Sequence, residues 1–497
     1  MRAAPRFLFG TVKQVARALG YGLVGGFLVL VVLFVVVLER RADLEIWHTI
    51  RLEEEFTADS PVTSLDGYLT IEERLYAEID REIYGATEPV DHPSVDRFRR
   101  GSLSDPARWP RNWNRSVALT ADKPRAGVLL LHGLSDSPYS MRSLAESLHA
   151  AGGTVLAMRL PGHGTAPSGL VYTEYEDWMA AAAVGMRHLH ATVGDQPLYI
   201  VGYSNGGAVA VLYALAAIED PSLPPAAGLV LMSPEIAITK MAVFAQWQDR
   251  LGRLLGLRKL AWTSILPEYD PFKYQSFALN AGRQARRITL EIQSQITALA
   301  KTGDLDRFPP LLAFQSVVDA TVLAPALAKQ LFGRLPPGDH EVVLFDLNRV
   351  AGIEPIYKQN PRAGIEALLA DPTRTYAVSL VTNENENSRA GIVRRVDPGD
   401  ASGTVTPLGV SWPQGVYSLS HVALPFPVDD PLYGDGTTVR SPGIQIGGLV
   451  LRGERGVLKI EASDILRMRW NPFHAYLRQR TLEFTGLEGE HGDHAGE

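Results

Sequence analysis

Cysteine is absent from this chain of 497 residues. Disulfides, thiolate metal sites and cysteine nucleophiles are thereby excluded, although the absence does not fix a compartment. Long basic runs are missing too: no block of Lys or Arg exceeds a pair or two, and the formal net charge is −7. Nucleic acid, which is gripped by clustered cations, finds no electrostatic footprint here. No internal repeat or low-complexity tract stands out. No His-x-x-Glu-His or comparable cluster offers metal-ligand spacing, so neither a metal nor a cofactor is expected. What remains is a long chain, 46% hydrophobic and 21% charged, able to bury a large core.

One long apolar run is present, near the start. No charged residue occurs between Arg17 and Glu39, and the stretch ALGYGLVGGFLVLVVLFVVVL is almost wholly apolar. At ~1.5 Å per residue it reaches about 30 Å, the thickness of a bilayer's hydrocarbon core. It is too long for the apolar region of a cleaved signal peptide, and ERRADLEIW after it offers no small-residue cleavage site. The expectation is a transmembrane signal anchor over residues 18–38, with 1–17 in the cytoplasm. Arg2, Arg6, Lys13 and Arg17 precede the span with no acidic residue among them, so the positive-inside bias exports everything after it. In a Gram-negative source that body would be periplasmic.

Residues 39–125 read as a charged N-terminal arm, helical in LTIEERLYAEIDREIYG and extended in the Pro- and Arg-rich segment that follows. From residue 126 the text changes. GVLLLHG, GTVLAMRLPGHG, PLYIVGYSNGG, AGLVLMSPE, PPLLAFQSVVD and HEVVLFDLNR are continuous apolar runs with helical patterns between them. Unbroken apolar runs suit strands covered on both faces, which predicts an α/β body, 126–485, with a doubly wound and mostly parallel sheet. Two segments interrupt it: 236–305, rich in aromatics, and an insertion at 351–412 containing the hairpin-like TYAVSLVTNENENSRAGIVRRV. A late hairpin is expected in IQIGGLVLRGERGVLKI, then a helix ending near RMRWNPFHAYLRQR, and a disordered tail over 486–497.

The chemistry gathers at Gly202-Tyr203-Ser204-Asn205-Gly206, a Gly-x-Ser-x-Gly between a strand and a helix. A sharp strand-to-helix bend projects a hydroxyl clear of the sheet, and small neighbours let the two backbones pack closely. Serine needs a base, and the base needs an acid to set its tautomer. Asp319 in LLAFQSVVDATV, directly after a buried strand, is the candidate acid; Asp346 and Asp371 are its rivals. His421 in GVYSLSHVALPF is the candidate base. His340 begins a strand at the wrong end, His474 lies in the C-terminal helix, and His491 and His494 are in the tail. The amides of Asn205 and Leu134 are the candidate oxyanion donors. His132 and His163 read as loop braces.

LLLHGLSDSP, RLPGHGTAPS, GYSNGG, SVVDATV and SHVALPF together resemble the α/β-hydrolase superfamily. Within it they are most similar to the branch that groups monoacylglycerol lipase-like and carboxylesterase-like enzymes with the serine aminopeptidases. The likeness covers residues 126–350 and resumes around His421. It implies Ser204 as nucleophile, Asp319 as acid, His421 as base, and Leu134 and Asn205 as oxyanion donors. It implies a lid at 236–305, and the apolar, aromatic text there suits a roof over an acyl pocket. One departure stands out: such families place the histidine a few tens of residues after the acid, whereas here roughly a hundred intervene. The expected function is a membrane-anchored serine hydrolase of lipid-like acyl esters. Its alternatives are an aminopeptidase or amidase, with Glu235 as the carboxylate for a substrate's amino terminus, and a non-catalytic binding protein on the same fold.

Overall fold

The computed structural model describes residues 5–91, 93–236, 257–322, 324–352, 356–357, 360–400, 402–449, 464 and 466–488; the side chains of 5–17, 30, 31, 34, 37 and 351 also lie outside the description. Among the described residues, ten strands form one sheet. They are β1 (Val117–Leu119), β2 (Ala126–Leu131), β3 (Gly153–Met158), β4 (Leu198–Tyr203), β5 (Gly228–Met232), β6 (Leu311–Ser316), β7 (His340–Phe345), β8 (Ala377–Asn385), β9 (Ser388–Val396) and β10 (Thr404–Ser411). Their order is β1-β3-β2-β4-β5-β6-β7-β8-β9-β10. Pairing from β3 through β8 is parallel, while β1 and the last two strands run antiparallel to their neighbours.

The longer helices are α1 (Pro5–Glu39), α2 (Leu65–Ile79), α3 (Arg142–Ala150), α4 (Tyr175–Val193), α5 (Asn205–Glu219), α6 (Leu279–Thr302), α7 (Arg362–Leu369) and α8 (His474–Phe484). Strands β2, β3, β5, β6 and β7 are buried along their whole length. Alternate residues of each strand serve opposite layers, as the period of two requires. Leu129, Leu229 and Leu311 face α4, α5 and α6, whereas Val128, Val230 and Leu312 join the layer of Leu144 and Leu477 from α3 and α8. Helices thus cover both faces, which is the doubly wound arrangement expected of the apolar runs.

Several expectations are revised. The longest element within the segment assigned to a lid is α6, whose Ile288, Ile292 and Ile296, spaced four apart, are fully buried in the cluster that also holds Leu212 and Leu215 of α5. Residues 237–256 lie outside the described residues, and in the stretch that follows Lys273 and Tyr274 bind the loop just beyond β2 through Asp136 and Ser135. The 351–412 insertion is part of the sheet, since β8 pairs in parallel with β7 and carries β9 and β10 beyond it. Of the late hairpin, 450–463 lie outside the described residues, and 444–449 form no strand. Residues 486–488, assigned to the tail, are held by the body: Leu487 is fully buried and Arg125 donates to the carbonyls of Gly486 (2.8 Å) and Glu488 (3.3 Å). The rest of that tail, with His491 and His494, lies outside the described residues.

The N-terminal arm is woven into the body. Arg159, fully buried just after β3, donates to both oxygens of Glu55 (2.9 and 3.1 Å) and to Glu72 Oε2 (3.1 Å) on α2. Arg41 donates to the carbonyls of Lys259 (2.9 Å), Trp262 (2.6 Å) and Thr263 (2.8 Å). Ahead of that clamp, the large apolar side chains described in α1 from Leu19 to Val36 are all exposed, between 41% and 77%. Among the described residues no helix is long and apolar enough to cross a membrane; the expected anchor spans positions 30, 31, 34 and 37, whose side chains are not described.

Candidate active site

Ser204 sits where β4 turns into α5, with φ 52° and ψ −115°. A left-handed φ is costly for serine, and the packing around the bend enforces it. A Cβ on Gly202 would fall 2.5 Å from the carbonyl oxygen of Gly206, and one on Gly206 only 2.1 Å from that of Leu131. Only glycine lets the helix come this close to the sheet. The bend is also held from β5: Ser204 N donates to Met232 O (2.9 Å), and Glu235 N donates to Ser204 O (3.0 Å).

Asp319 follows β6 and His421 lies in the loop after the inserted strands; both are buried. His421 Nδ1 is 2.8 Å from Asp319 Oδ2, and His421 Nε2 is 3.0 Å from Ser204 Oγ. An ionised carboxylate only accepts, so it keeps the ring proton on Nδ1 and leaves Nε2 to accept from the serine. Asp319 is saturated: Gln315 Nε2 donates to Oδ2 (2.9 Å), while the amides of Thr321 (2.8 Å) and Val322 (3.0 Å) donate to Oδ1. Burial pushes its pKa up, but the bond and charge of His421 and those two amides outweigh it and hold it below the ordinary carboxylate value. Gln315 carried no signal in the sequence beyond standing four residues before the acid.

The parallel register pairs Leu131 with Gly202, so Leu134 and Asn205 each follow by three residues a pair of neighbouring strand positions at the same edge of the sheet. Neither amide has an acceptor among the described residues, which suits groups that wait for a developing negative charge. The loop after β2 is braced from several directions. Leu160 N donates to His132 Nε2 (3.0 Å), so the neutral ring carries its proton on Nδ1 and donates to Gly133 O (2.9 Å). Burial first, and then His163, hold His132 far below the usual imidazole range. His163 is lowered to about 4 by burial and contacts Pro161 O through Nδ1 at 3.0 Å. Tyr274 N donates to Ser135 O (2.8 Å), and Lys273 pairs with Asp136 (2.8 Å).

The other candidates lie elsewhere. Asp346 pairs with Arg349 (2.9 Å), and exposed Asp371 accepts from Thr373 N (2.9 Å). His340 opens β7 and His474 opens α8. Glu235 stands beside the bend; its Oε2 is sealed from solvent with no partner among the described residues, and burial raises its pKa to about 7. Among the described residues no group of three or more His, Asp or Glu forms a metal-holding cluster. A groove of about 590 Å³ between Trp109, Trp113, Arg142 and Pro442 is lined by neither Ser204, Asp319 nor His421.

A serine on this bend, at the strand ends of a sheet so ordered, defines an α/β hydrolase. The family pattern described as "Serine aminopeptidase, S33" matches residues 122–347. A thermostable monoacylglycerol lipase from Bacillus sp. (strain H-257) is 38% identical over 224 residues, which is 45% of this chain and 82% of that protein. The chain therefore belongs to this serine aminopeptidase family and is monoacylglycerol lipase-like. A carboxylesterase from Bacillus subtilis (strain 168) is 29% identical over 119 residues, covering 24% of this chain and 48% of that relative. The crystal structure of the Paleococcus ferrophilus monoacylglycerol lipase superposes with a TM-score of 0.36 at 21% identity, covering 46% of this chain and 88% of that one. His421 lies beyond the family match, which ends at residue 347.

Proposed function

We propose that this protein hydrolyses carboxylic esters of lipid-like acyl chains through Ser204, His421 and Asp319. The observation that carries the reading is the unbroken hydrogen-bonded chain from Ser204 Oγ through both ring nitrogens of His421 to Asp319. Ser204 Oγ attacks the acyl carbon as its proton passes to His421 Nε2. The resulting oxyanion is received by the amides of Leu134 and Asn205. Collapse returns the proton to the leaving alcohol and leaves an acyl-enzyme. A water deprotonated by His421 then attacks, and the acid departs with Ser204 restored. Asp319 stays ionised throughout and stabilises the imidazolium.

The lipid-like substrate class is supported by the 38% identity to a monoacylglycerol lipase. It also agrees with single-pass anchoring by α1, whose described apolar side chains are exposed, with a cytoplasmic N-terminus and an exported body. A fluorophosphonate probe, with a chain-length series of aryl esters set against aminoacyl anilides, tests the proposal. Wild type should label and favour long acyl esters, and Ser204→Ala should lose labelling and at least about 10⁴-fold in kcat. Labelling that survives in Ser204→Ala, or a strict preference for acetyl esters, would sink it. The aminopeptidase reading is kept second by Glu235, a carboxylate beside the bend with a sealed oxygen that has no partner among the described residues. Turnover of anilides above esters would favour it.

A further inference from the structure

Between Asn348 and Val416 the chain leaves the catalytic edge, builds β8, β9 and β10, and comes back. The two ends of this excursion meet. Asn348 N donates to Tyr417 O (2.9 Å), and its side-chain Nδ2 donates to Val416 O (2.7 Å). Its other side-chain atom, Oδ1, accepts from Asn383 Nδ2 (3.1 Å) on β8 and from Val350 N (3.3 Å). Asn383 in turn accepts from Arg349 N (2.8 Å) and donates to Ser388 O (2.9 Å) on β9. Both carboxamides are buried, Asn348 at 3% and Asn383 at 5% exposure.

The returning segment then runs directly to His421. Its next grips come from the strands that carry the other two residues of the chain: Ser316 Oγ on β6 donates to Leu419 O (2.9 Å), and Tyr203 OH on β4 reaches His421 O (3.4 Å). Ser420 Oγ donates to Met468 O. Four of these holds are donors taking a carbonyl of the loop, and in the fifth the loop's own Ser420 donates outward. Asn348 supplies the first two.

We propose that Asn348 is a positioning residue for His421, joining the inserted hairpin to the loop that presents the imidazole. The argument rests on the serine-hydrolase reading above and on the chemistry of one side chain. A carboxamide carries a donor and an acceptor. Here the donor half holds the histidine loop, and the acceptor half is held by β8. Aspartate has no donor, and alanine has neither. The inserted strands therefore act as a brace for the base, in a chain whose histidine arrives about a hundred residues after its acid. Positions at a reacting centre are unforgiving, since a displacement of about 1 Å costs on the order of 10²-fold in rate.

The test uses the full-length chain and two quantities: burst amplitude with p-nitrophenyl butyrate, which counts competent sites, and the acylation rate per site, cross-checked by fluorophosphonate inactivation. Asn348→Ala should keep the amplitude and KM while acylation falls by about 10- to 100-fold. Asn348→Asp, which retains only the acceptor, should be at least as slow. Asn383→Ala should move the same way by less, and it decides the question where Asn348→Ala does not fold. Acylation per site within about twofold of wild type in these variants, or a loss carried wholly by burst amplitude, would overturn the proposal. A wild-type chain inert to the fluorophosphonate would remove the underlying hydrolase reading instead.

Discussion

Among the described residues only Ser135, Ser204 and Ser233 combine a side chain with a left-handed φ, and all three border the candidate site. Ser135 follows the oxyanion loop, Ser204 tops the bend, and Ser233 N donates to Phe314 O (2.8 Å) at the end of β5. Strained backbone gathers where geometry must be held for chemistry, and its cost is met by the surrounding packing. Glu235, two residues beyond Ser233, adds an electrostatic cost of its own. Its pKa rises from the ordinary 4.5 to about 7 through burial. Below pH 4.5 the carboxyl is protonated in both folded and unfolded chains, and no penalty arises. Between 4.5 and 7 the unfolded chain ionises while the folded one resists, so stability falls as pH rises through that window. Glu235→Gln should therefore be more stable than wild type at pH 8 and about equal to it near pH 4.5, read from urea midpoints. An equal offset at both pH values would contradict this account. Ser204 could be read from the sequence because its signature is local: glycines, a strand before and a helix after. Gln315 and Asn348 could not, because what matters in them is a partner's position, and polar residues near strand ends are commonplace.

The strands from β2 to β7 were legible because burial on both faces leaves unbroken apolar runs. The elements beyond them were harder to interpret. The helix α6 has the apolar spacing of any packed helix, and its place after β5 suggested a lid; only the depth of Ile288, Ile292 and Ile296 shows it belongs to the core. Glu55 and Glu72 stand in charged runs that resemble a solvated face, yet they enclose a fully buried guanidinium about a hundred residues away. Breaking a buried pair strands an uncompensated charge, which costs about 3–5 kcal/mol. Arg159→Ala, which leaves Glu72 without its cation at 3% exposure, should destabilise the body by at least that amount in chemical denaturation. Arg74→Ala, which breaks an exposed pair with Glu54, should cost about 1 kcal/mol or less. Equal costs would mean that the arm is not integral to the body.

For the whole molecule, α1 and the body are joined through a short, well-anchored connection. Arg41 and Lys259 clasp each other's segments immediately after the helix: Lys259 Nζ donates to Arg41 O (3.1 Å) and to Asp43 (2.9 Å). On the proposed anchoring and activity, a chain lacking residues 1–38, which keeps that clasp, should leave the membrane fraction while retaining its kcat/KM for a short aryl ester. Alkaline extraction checks the first outcome; a truncated chain that still sediments with membranes would count against anchoring by α1. The two borders of the sheet carry a different consequence. At one border β1 is only three residues long. At the other, exposed β10 carries Pro407, which offers no N–H, and Gly409 at φ 67°, while its pairing with β9 slips between Ala390 and Ile392. Among the described residues neither border presents the straight row of free donors that another copy would need to add a strand. The ten described strands thus end on both sides without inviting a further copy to extend the sheet.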